Sequence, residues 1–293
     1  MDQLKGIDTS HYSNFTLPLM QQTVKKNKLY FNFIKASEGA TIQDAKFADI
    51  WQMSRKAGLI CGAYHFFRPL ADVPAQVANF INQYRKVSRA GVLPPVIDIE
   101  WAKGSASEEQ WAQLLPAQRV PKIKIFLSAL EADLNTKPII YTATGFWKEY
   151  IADQCSDEDI SYFSQYTLWI VDLSNTGKLP LPWQGHPAPF VQTHFGEMAT
   201  TQEPYDTCDQ NIFNGSLKDL LNRTMPGFTV MKGFPFSNIV IDIQQKLIDK
   251  KLLKSSADGL FGSNTEKAVK AFQKENDLFD NGIADAQTWN KLL

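Results

Sequence analysis

The sequence predicts an α/β fold in two parts: an incomplete TIM-like β/α barrel, then a small all-α domain of three helices. Three observations carry this reading. Short β-rich runs alternate with longer helical patterns over the first two-thirds of the 293-residue chain. Beyond Tyr141 the helical patterns thin out and the strand-like runs crowd together. After a break rich in Pro and Gly, the tail shows helical spacing alone.

Strands are expected at residues 4–9, 31–36, 60–67, 96–100, 139–142, 168–171, 190–194 and 210–213. Several are continuously apolar, as strands covered on both faces must be. Helices are expected between the early ones, at residues 18–28, 45–57, 75–89 and 121–135. Pro226-Gly227 and Gly233-Phe234-Pro235 then read as turn or linker punctuation. Ile239, Ile243, Leu247 and Leu252 outline one tail helix. Residues 265–275 outline a second, with Ala268, Val269 and Phe272 on one face and Asn264 as N-cap. Residues 285–293 give a third, with Trp289 and Leu292 inward. The expected organisation is a barrel at residues 1–222, a linker at 223–236 and the small domain at 237–293.

The composition is that of a globular protein, with 44% hydrophobic and 21% charged residues. No stretch approaches the roughly 20 apolar residues that span a bilayer, so no membrane insertion is expected. A formal net charge of −1 gives no basic field for nucleic acid. Cys61, Cys155 and Cys208 are an odd number at wide spacing, neither a disulfide framework nor a zinc ribbon. Cys61 lies in an apolar run and reads as a small core residue, while pairing of Cys155 with Cys208 stays open. No His, Asp and Glu grouping has metal-ligand spacing, so neither metal nor cofactor is expected. A monomer is expected. Residues 1–6 lack the basic start, apolar core and cleavage site of a signal peptide.

The chemistry is expected at Asp98 and Glu100. Residues i and i+2 of a strand point to the same side, so the two carboxylates project together while Ile97 and Ile99 face packing. They end the fourth candidate strand, and the C-terminal end of barrel strands hosts the active site. A pair of carboxyl groups is what glycoside hydrolysis needs, one to protonate the leaving oxygen and one to stabilise the developing cation. Alone, Asp-x-Glu is an ordinary solvated strand end. Here the preceding run is buried in character, and other strand ends also carry acids: Asp8, Glu38, Asp172 and Asp209. Convergence of Asp8, Asp98 and Asp209 on Glu100 would raise its pKa and keep it protonated for work as an acid. Tyr64, Phe66, Trp101, Tyr141 and Trp169 lie near strand ends, where aromatic faces stack on sugar rings. Phe66 reads as core instead, and His65 as a structural histidine.

In order along the chain stand Gly6-Ile7-Asp8-Thr9-Ser10, Phe33-Ile34-Lys35-Ala36-Ser37-Glu38-Gly39, Gly62-Ala63-Tyr64-His65-Phe66-Phe67 and Pro95-Val96-Ile97-Asp98-Ile99-Glu100. Pro138-Ile139-Ile140-Tyr141-Thr142, Leu168-Trp169-Ile170 and Asp209-Gln210-Asn211-Ile212-Phe213-Asn214-Gly215 follow. Together these resemble glycoside hydrolase family 25, the Chalaropsis-type lysozymes, over about residues 4–215. The resemblance implies a (β/α)5(β)3 barrel and cleavage of the β-1,4 bond between N-acetylmuramic acid and N-acetylglucosamine, with net retention. It implies Glu100 as acid/base, Asp98 as its partner, Asp8 and Asp209 as supporting acids, and substrate contacts at Tyr64, Tyr141, Trp101, Trp169, Lys35, Glu38 and Gln192. Whether Asp98 attacks the sugar or orients its acetamido group stays open. The chain departs from the pattern at Asp172, where members often have Ala, and at Gln192-Thr193-His194-Phe195, which replaces a Trp-Gln-Tyr style of strand.

The tail resembles the three-helix peptidoglycan-binding domain through Ile243-Gln244-Gln245-Lys246-Leu247, Asp258-Gly259-Leu260-Phe261-Gly262, Phe272-Gln273, Asn281-Gly282 and Thr288-Trp289. Asp258, Gly259, Phe261 and Trp289 are its marker residues, with Asp-Gly and Asn-Gly supplying turns of positive φ. The resemblance implies a muramidase with peptidoglycan as partner, held to the wall by its tail. An endolysin released by a holin, or an antibacterial effector delivered by a secretion machine, fits an opening without a leader. The competing readings are a non-catalytic wall-binding protein, against which Asp98 and Glu100 argue, and a glycosidase of chitin-like polymers.

Overall fold

The computed structural model describes residues 3–104, 108–174, 176–185, 187–196 and 208–293. The chain begins with β1 (Leu4–Thr9), α1 (Leu17–Asn27), β2 (Leu29–Glu38) and a short side strand β3 (Ile42–Gln43). It continues through α2 (Phe47–Lys56), β4 (Ile60–Phe66), α3 (Val73–Tyr84), β5 (Val96–Asp98), α4 (Pro116–Leu134) and β6 (Ile139–Ala143). Thereafter the helices shrink to single turns, α5 (Thr144–Trp147) and α6 (Asp157–Ser161), before β7 (Thr167–Val171), β8 (Phe190–His194) and β9 (Asp209–Phe213). After α7 (Leu217–Asn222) come the tail helices α8 (Asn238–Asp249), α9 (Ser263–Glu275) and α10 (Ala286–Leu292).

Local signals set several of these boundaries. Thr16 caps α1 by accepting the Leu19 N–H, Pro18 occupies the first turn, and Lys28 ends the helix in the left-handed region at φ 55°. Asp72 caps α3 in the same way through the Ala75 N–H at 2.9 Å. The expected helix start at Pro121 is five residues late, because Pro116 already fills the tolerated first-turn position and Pro121 rides inside α4. Gly262, not Asn264, is the N-cap residue of α9. Glu100 lies just beyond β5, which ends at Asp98.

The sheet closes: β1 pairs with β2 on one side and β9 on the other. Around the barrel, pairing is parallel through β1, β2, β4, β5, β6, β7 and β8, whereas β9 runs antiparallel to both its neighbours and the side strand β3 runs antiparallel to β2. The antiparallel β9 needs no crossover helix, and among the described residues the parallel β7 and β8 are also joined without one. Alternation along each strand then sorts the side chains. Cys61, Ala63, Ile97, Ile140, Leu168 and Ile170 face the helices, while Phe31, Phe33, Val96, Ile139, Trp169, Phe190 and Phe213 form a separate cluster inside. Gly6 and Gly62 make room for this interior. A Cβ at Gly6 would sit 2.4 Å from the Phe31 ring, and one at Gly62 would sit 2.5 Å from Phe33. Phe33 stacks on Trp169 with centroids 4.3 Å apart, and Phe190 meets Phe33 at 5.2 Å and Phe213 at 5.0 Å.

No disulfide joins Cys155 to Cys208. Cys155 donates to the Pro116 carbonyl beside the outer core, and Cys208 packs with Ile7, Met20 and Leu59 under α1.

The tail helices dock on the end of the barrel where the parallel strands begin. Their core (Ile239, Val240, Ile243, Trp289) is continuous with the barrel interior through Phe228 and Val230. Polar contacts fix the seam. Ser237 Oγ donates to the Gly58 carbonyl at 2.8 Å, Asn238 Nδ2 to the Val24 and Leu29 carbonyls at 3.2 and 2.9 Å, and the Tyr30 hydroxyl to Asp242 at 2.8 Å. Residues 223–236 therefore pass along the barrel rather than away from it: Gly91 Cα lies so close to Phe228 that an added Cβ would come within 2.3 Å of its backbone. Replacing Asn238, which is 4% exposed, by Ala removes the amide from this seam. The expected loss is about 1–3 kcal/mol, read in calorimetry as a lower Tm for the whole chain. A barrel transition left unshifted while only a separate tail transition moves would show that the barrel does not depend on the seam.

Candidate active site

The interior changes character toward the C-terminal ends of the parallel strands. Above Phe33, Trp169 and Phe190, the inward positions become Asp8 on β1, Lys35 on β2, Tyr64 on β4, Asp98 on β5, Tyr141 on β6, Gln192 on β8, and Asn211 and Asp209 on β9. Register fixes their company: Asp98 pairs with Phe66 and Tyr141, Lys35 with Tyr64, and Asp8 with Asp209. Asp8, Asp98, Glu100 and Asp209 thus gather at one mouth, as the strand-end argument expects.

These acids sit over an aromatic floor, and their proton affinities reflect it. Burial pushes Asp8 up to about 7, with Asp209 and Glu100 adding to the rise against hydrogen bonds from Asn211 and Gln192. Burial lifts Asp98 well above its ordinary value, with Glu100 next and Lys35 opposing. Burial raises Glu100 to about 7, opposed by Lys35 and reinforced by Asp209. Crowding of acids therefore contributes, but desolvation is the larger cause. Asp98 is 5% exposed, and its Oδ1 has no hydrogen-bond partner among the described residues.

The other two strand-end acids are occupied. Glu38 accepts from Lys35 Nζ at 2.7 Å and from Arg68 Nε at 2.9 Å, and these cations outweigh its burial to hold it below the usual range. Asp172 accepts the Thr176 and Gly177 N–H groups at 3.0 and 2.7 Å, closing its own loop. Two clefts flank the mouth. One, of about 590 Å³, is lined by Glu100, Trp101, Thr144, Leu173 and Phe195. The other, of about 500 Å³, is lined by Glu38, Ile42, Arg68, Leu70 and Lys103. Trp101 is 42% exposed and Phe195 58%, so both offer ring faces to a ligand.

Residues 7–189 match the pattern of glycosyl hydrolases family 25. The chain belongs to that family. Residues 237–292 match a putative peptidoglycan binding domain. The fold superposes on the muramidase from Acremonium alcalophilum with a TM-score of 0.63 and 27% identity, covering 75% of this chain and 98% of that one. It superposes on a bacterial lysozyme from Streptomyces coelicolor with a TM-score of 0.61 and 26% identity, covering 76% and 98%. Escherichia coli YegX, an uncharacterised protein, is 29% identical over 198 residues, 66% of this chain. The chain spans 62% of the length of that relative.

Within the family 25 barrel, the expected contact residues separate by depth. Trp101 and Glu38 line the clefts, and Lys35 and Tyr64 are partly open. Trp169 is 2% exposed, stacked on Phe33 and donating Nε1–H to Asn211 at 2.8 Å, so it packs inside instead of facing a sugar. Gln192 is 2% exposed with both amide atoms engaged. His65 is fully buried, bonded to Ser37 and Gln76, and burial lowers it to about 4, as a structural histidine requires. In the tail, Phe261 and Trp289 are core residues, and Asp258 with Gly259 forms a turn held by Gln244. Gln273 holds the Asn281-Gly282 turn with the same set of bonds. Arg68, Asn211 and Phe195 are the site residues that strand-end reasoning passes over. Asn211 had a signal, two residues from Asp209 on one strand face, whereas Arg68 and Phe195 lie in loops without periodicity.

Asp8 gives the site a stability signature. Its folded pKa of about 7 exceeds the ordinary 3.8, so the native state holds the proton more tightly than the unfolded chain. The stability this brings is complete below about pH 4 and is lost as pH rises through 7. Asp8→Asn removes that slope. Its Tm is expected above wild type at pH 8 and equal to it near pH 3.5, measured by scanning calorimetry. Coincident Tm values at pH 8 would refute a raised Asp8.

Proposed function

We propose that the protein is a muramidase that hydrolyses the β-1,4 bond between N-acetylmuramic acid and N-acetylglucosamine in peptidoglycan, with net retention. The observation that carries this is Glu100, a partly buried carboxyl raised to about 7 at the edge of a cleft and adjacent to Asp98. A general acid must hold a proton near working pH and still reach the bond it breaks. The superposition on a muramidase and a bacterial lysozyme, and the match of the tail to a peptidoglycan binding domain, support the substrate. Clefts on both sides of the mouth suit a polymer better than a single sugar.

Glu100 protonates the leaving oxygen. Asp98, recessed and carrying an oxygen without a partner among the described residues, accepts the N–H of the substrate's acetamido group and aligns that group for attack on the anomeric carbon. Acetamido attack and the later attack by water each invert the carbon, so the product keeps its configuration. Asp8 and Asp209 titrate as a pair, and the ionised share of that pair sets negative charge facing the developing cation. Trp101 and Phe195 stack on sugar faces.

Glu100→Gln is expected to lower the rate of peptidoglycan clearance by about 10²–10⁴-fold, without loss of Tm. In wild type, kcat falls as pH rises through about 7, because Glu100 then loses the proton it must give. Mass spectrometry of released fragments should show muramic acid at the new reducing ends. Glucosamine ends would redirect the specificity, and a near-normal rate for Glu100→Gln would remove Glu100 as the acid. A covalent sugar adduct on Asp98 would overturn the acetamido role.

A further inference from the structure

Gln192 lies behind the cleft, not in it. Its Nε2 donates to Asp8 Oδ2 at 2.8 Å and to Asp209 Oδ2 at 3.1 Å, and its Oε1 accepts from the Tyr141 hydroxyl at 2.6 Å. Asn211 Nδ2 donates to the same Asp8 oxygen at 2.8 Å and its Oδ1 accepts from Trp169 Nε1. The direction of this network is forced from its ends. An indole N–H can only donate, so Asn211 must turn its oxygen to Trp169 and its NH₂ to Asp8. In the ionised form of the pair the carboxylates only accept, so Gln192 then turns its NH₂ to the two acids and its oxygen to Tyr141. Tyr141 then has its single proton committed, and its oxygen can offer only lone pairs to anything in the groove. Burial raises the Tyr141 pKa, so that proton stays.

We propose that Gln192 is a positioning residue for the reaction: its amide ties Asp8 and Asp209 to Tyr141, so that two carboxylates and an acceptor-only hydroxyl face the bound sugar as one unit. This rests on the reading of Glu100 as the acid. The side chain has no surface for substrate, being 2% exposed, so its effect passes through the groups it holds. The groups that bear on it come from every neighbouring strand: Asp8, Lys35, Tyr64, Asp98 with Glu100, Tyr141 and Asp209. Asp172, next along β7, turns its carboxylate into its own loop instead. Hydrogen bonds from Gln192 and Asn211 favour the ionised form of Asp8 against burial and the charge of Asp209. Taking away the Gln192 donor therefore makes the acid pair harder to ionise, while Glu100 feels less negative charge.

The test is the pH dependence of kcat and KM for Gln192→Met, which keeps the length of the side chain without its donors. Expected are a kcat lower by about tenfold, a KM within about twofold, and an acid limb moved upward by about one pH unit. Tyr141→Phe should lower kcat with the acid limb unmoved, because Gln192 still donates to both acids. If Gln192→Met does not fold, Gln192→Asn answers the same question, since the shortened amide withdraws its donors from Asp8 and Asp209 without adding charge and should move the acid limb upward in the same way. A wild-type pH profile in the folded variant, or a change confined to KM, would overturn the proposal. An inactive Glu100→Gln beside an unaltered Gln192→Met overturns this inference alone. An active Glu100→Gln overturns the reading beneath it.

Discussion

Carboxylates packed above aromatic rings are the constraint on which the rest of the site depends. Phe31, Phe33, Trp169, Phe190 and Phe213 pack as one buried apolar cluster in the lumen beneath the acids. The acids at the mouth are solvated from one side only, and burial is the first cause of the rise at Asp8, Asp98 and Glu100. The rings fit because Gly6 and Gly62 give up their side chains to Phe31 and Phe33. Two glycines on neighbouring strands thus act on the chemistry through packing: a bulkier residue there would push the floor away from its register, and the acids with it.

The same interior continues downward into the tail. Ile239, Val240 and Ile243 extend the cluster that begins at Phe31, so the small domain closes the open end of the barrel. A tail recruited only to hold substrate nearby would need no such seam. The buried Asn238 and Ser237, spending their polar groups on the Val24, Leu29 and Gly58 carbonyls, show a joint built for fixed orientation. The twin turns held by Gln244 and Gln273 keep the tail equally rigid within itself.

Strand parity was legible in the sequence because it depends on alternation alone. It placed Asp98 and Glu100 on one face and gathered Asp8 and Asp209 with them. Depth was not legible, because parity says which way a side chain points and nothing about how far along the lumen it lies. Trp169 and Gln192 point inward as expected, yet both sit below the sugar-facing layer. The antiparallel β9 was equally hidden, since Asp209–Phe213 is too short to carry a direction in its pattern. Helix starts slipped where two prolines competed, Pro116 taking the position that Pro121 would fill alone. The loop residues Arg68 and Phe195 had no periodic neighbour to announce them.

Glu100 is set by a balance, and the structure shows both sides of it. A floor of rings and the charge of Asp209 hold its proton on, while the Lys35 ammonium pulls the other way. Lys35 cannot swing freely toward the acid, because Glu38 holds it at 2.7 Å and Arg68 holds Glu38 in turn. Lys35 and Arg68 also lie over the Phe66 ring, at 5.0 and 4.9 Å from its centroid. Without that anchor, an ammonium drawn fully onto Glu100 would stabilise its ionised form and strip the acid of its proton near neutrality. With the ammonium removed altogether, burial and the Glu100 charge would raise Asp98 further still. An ion cluster set at the lip of the barrel satisfies both demands, keeping Lys35 close enough to moderate Asp98 and tethered enough to leave Glu100 an acid.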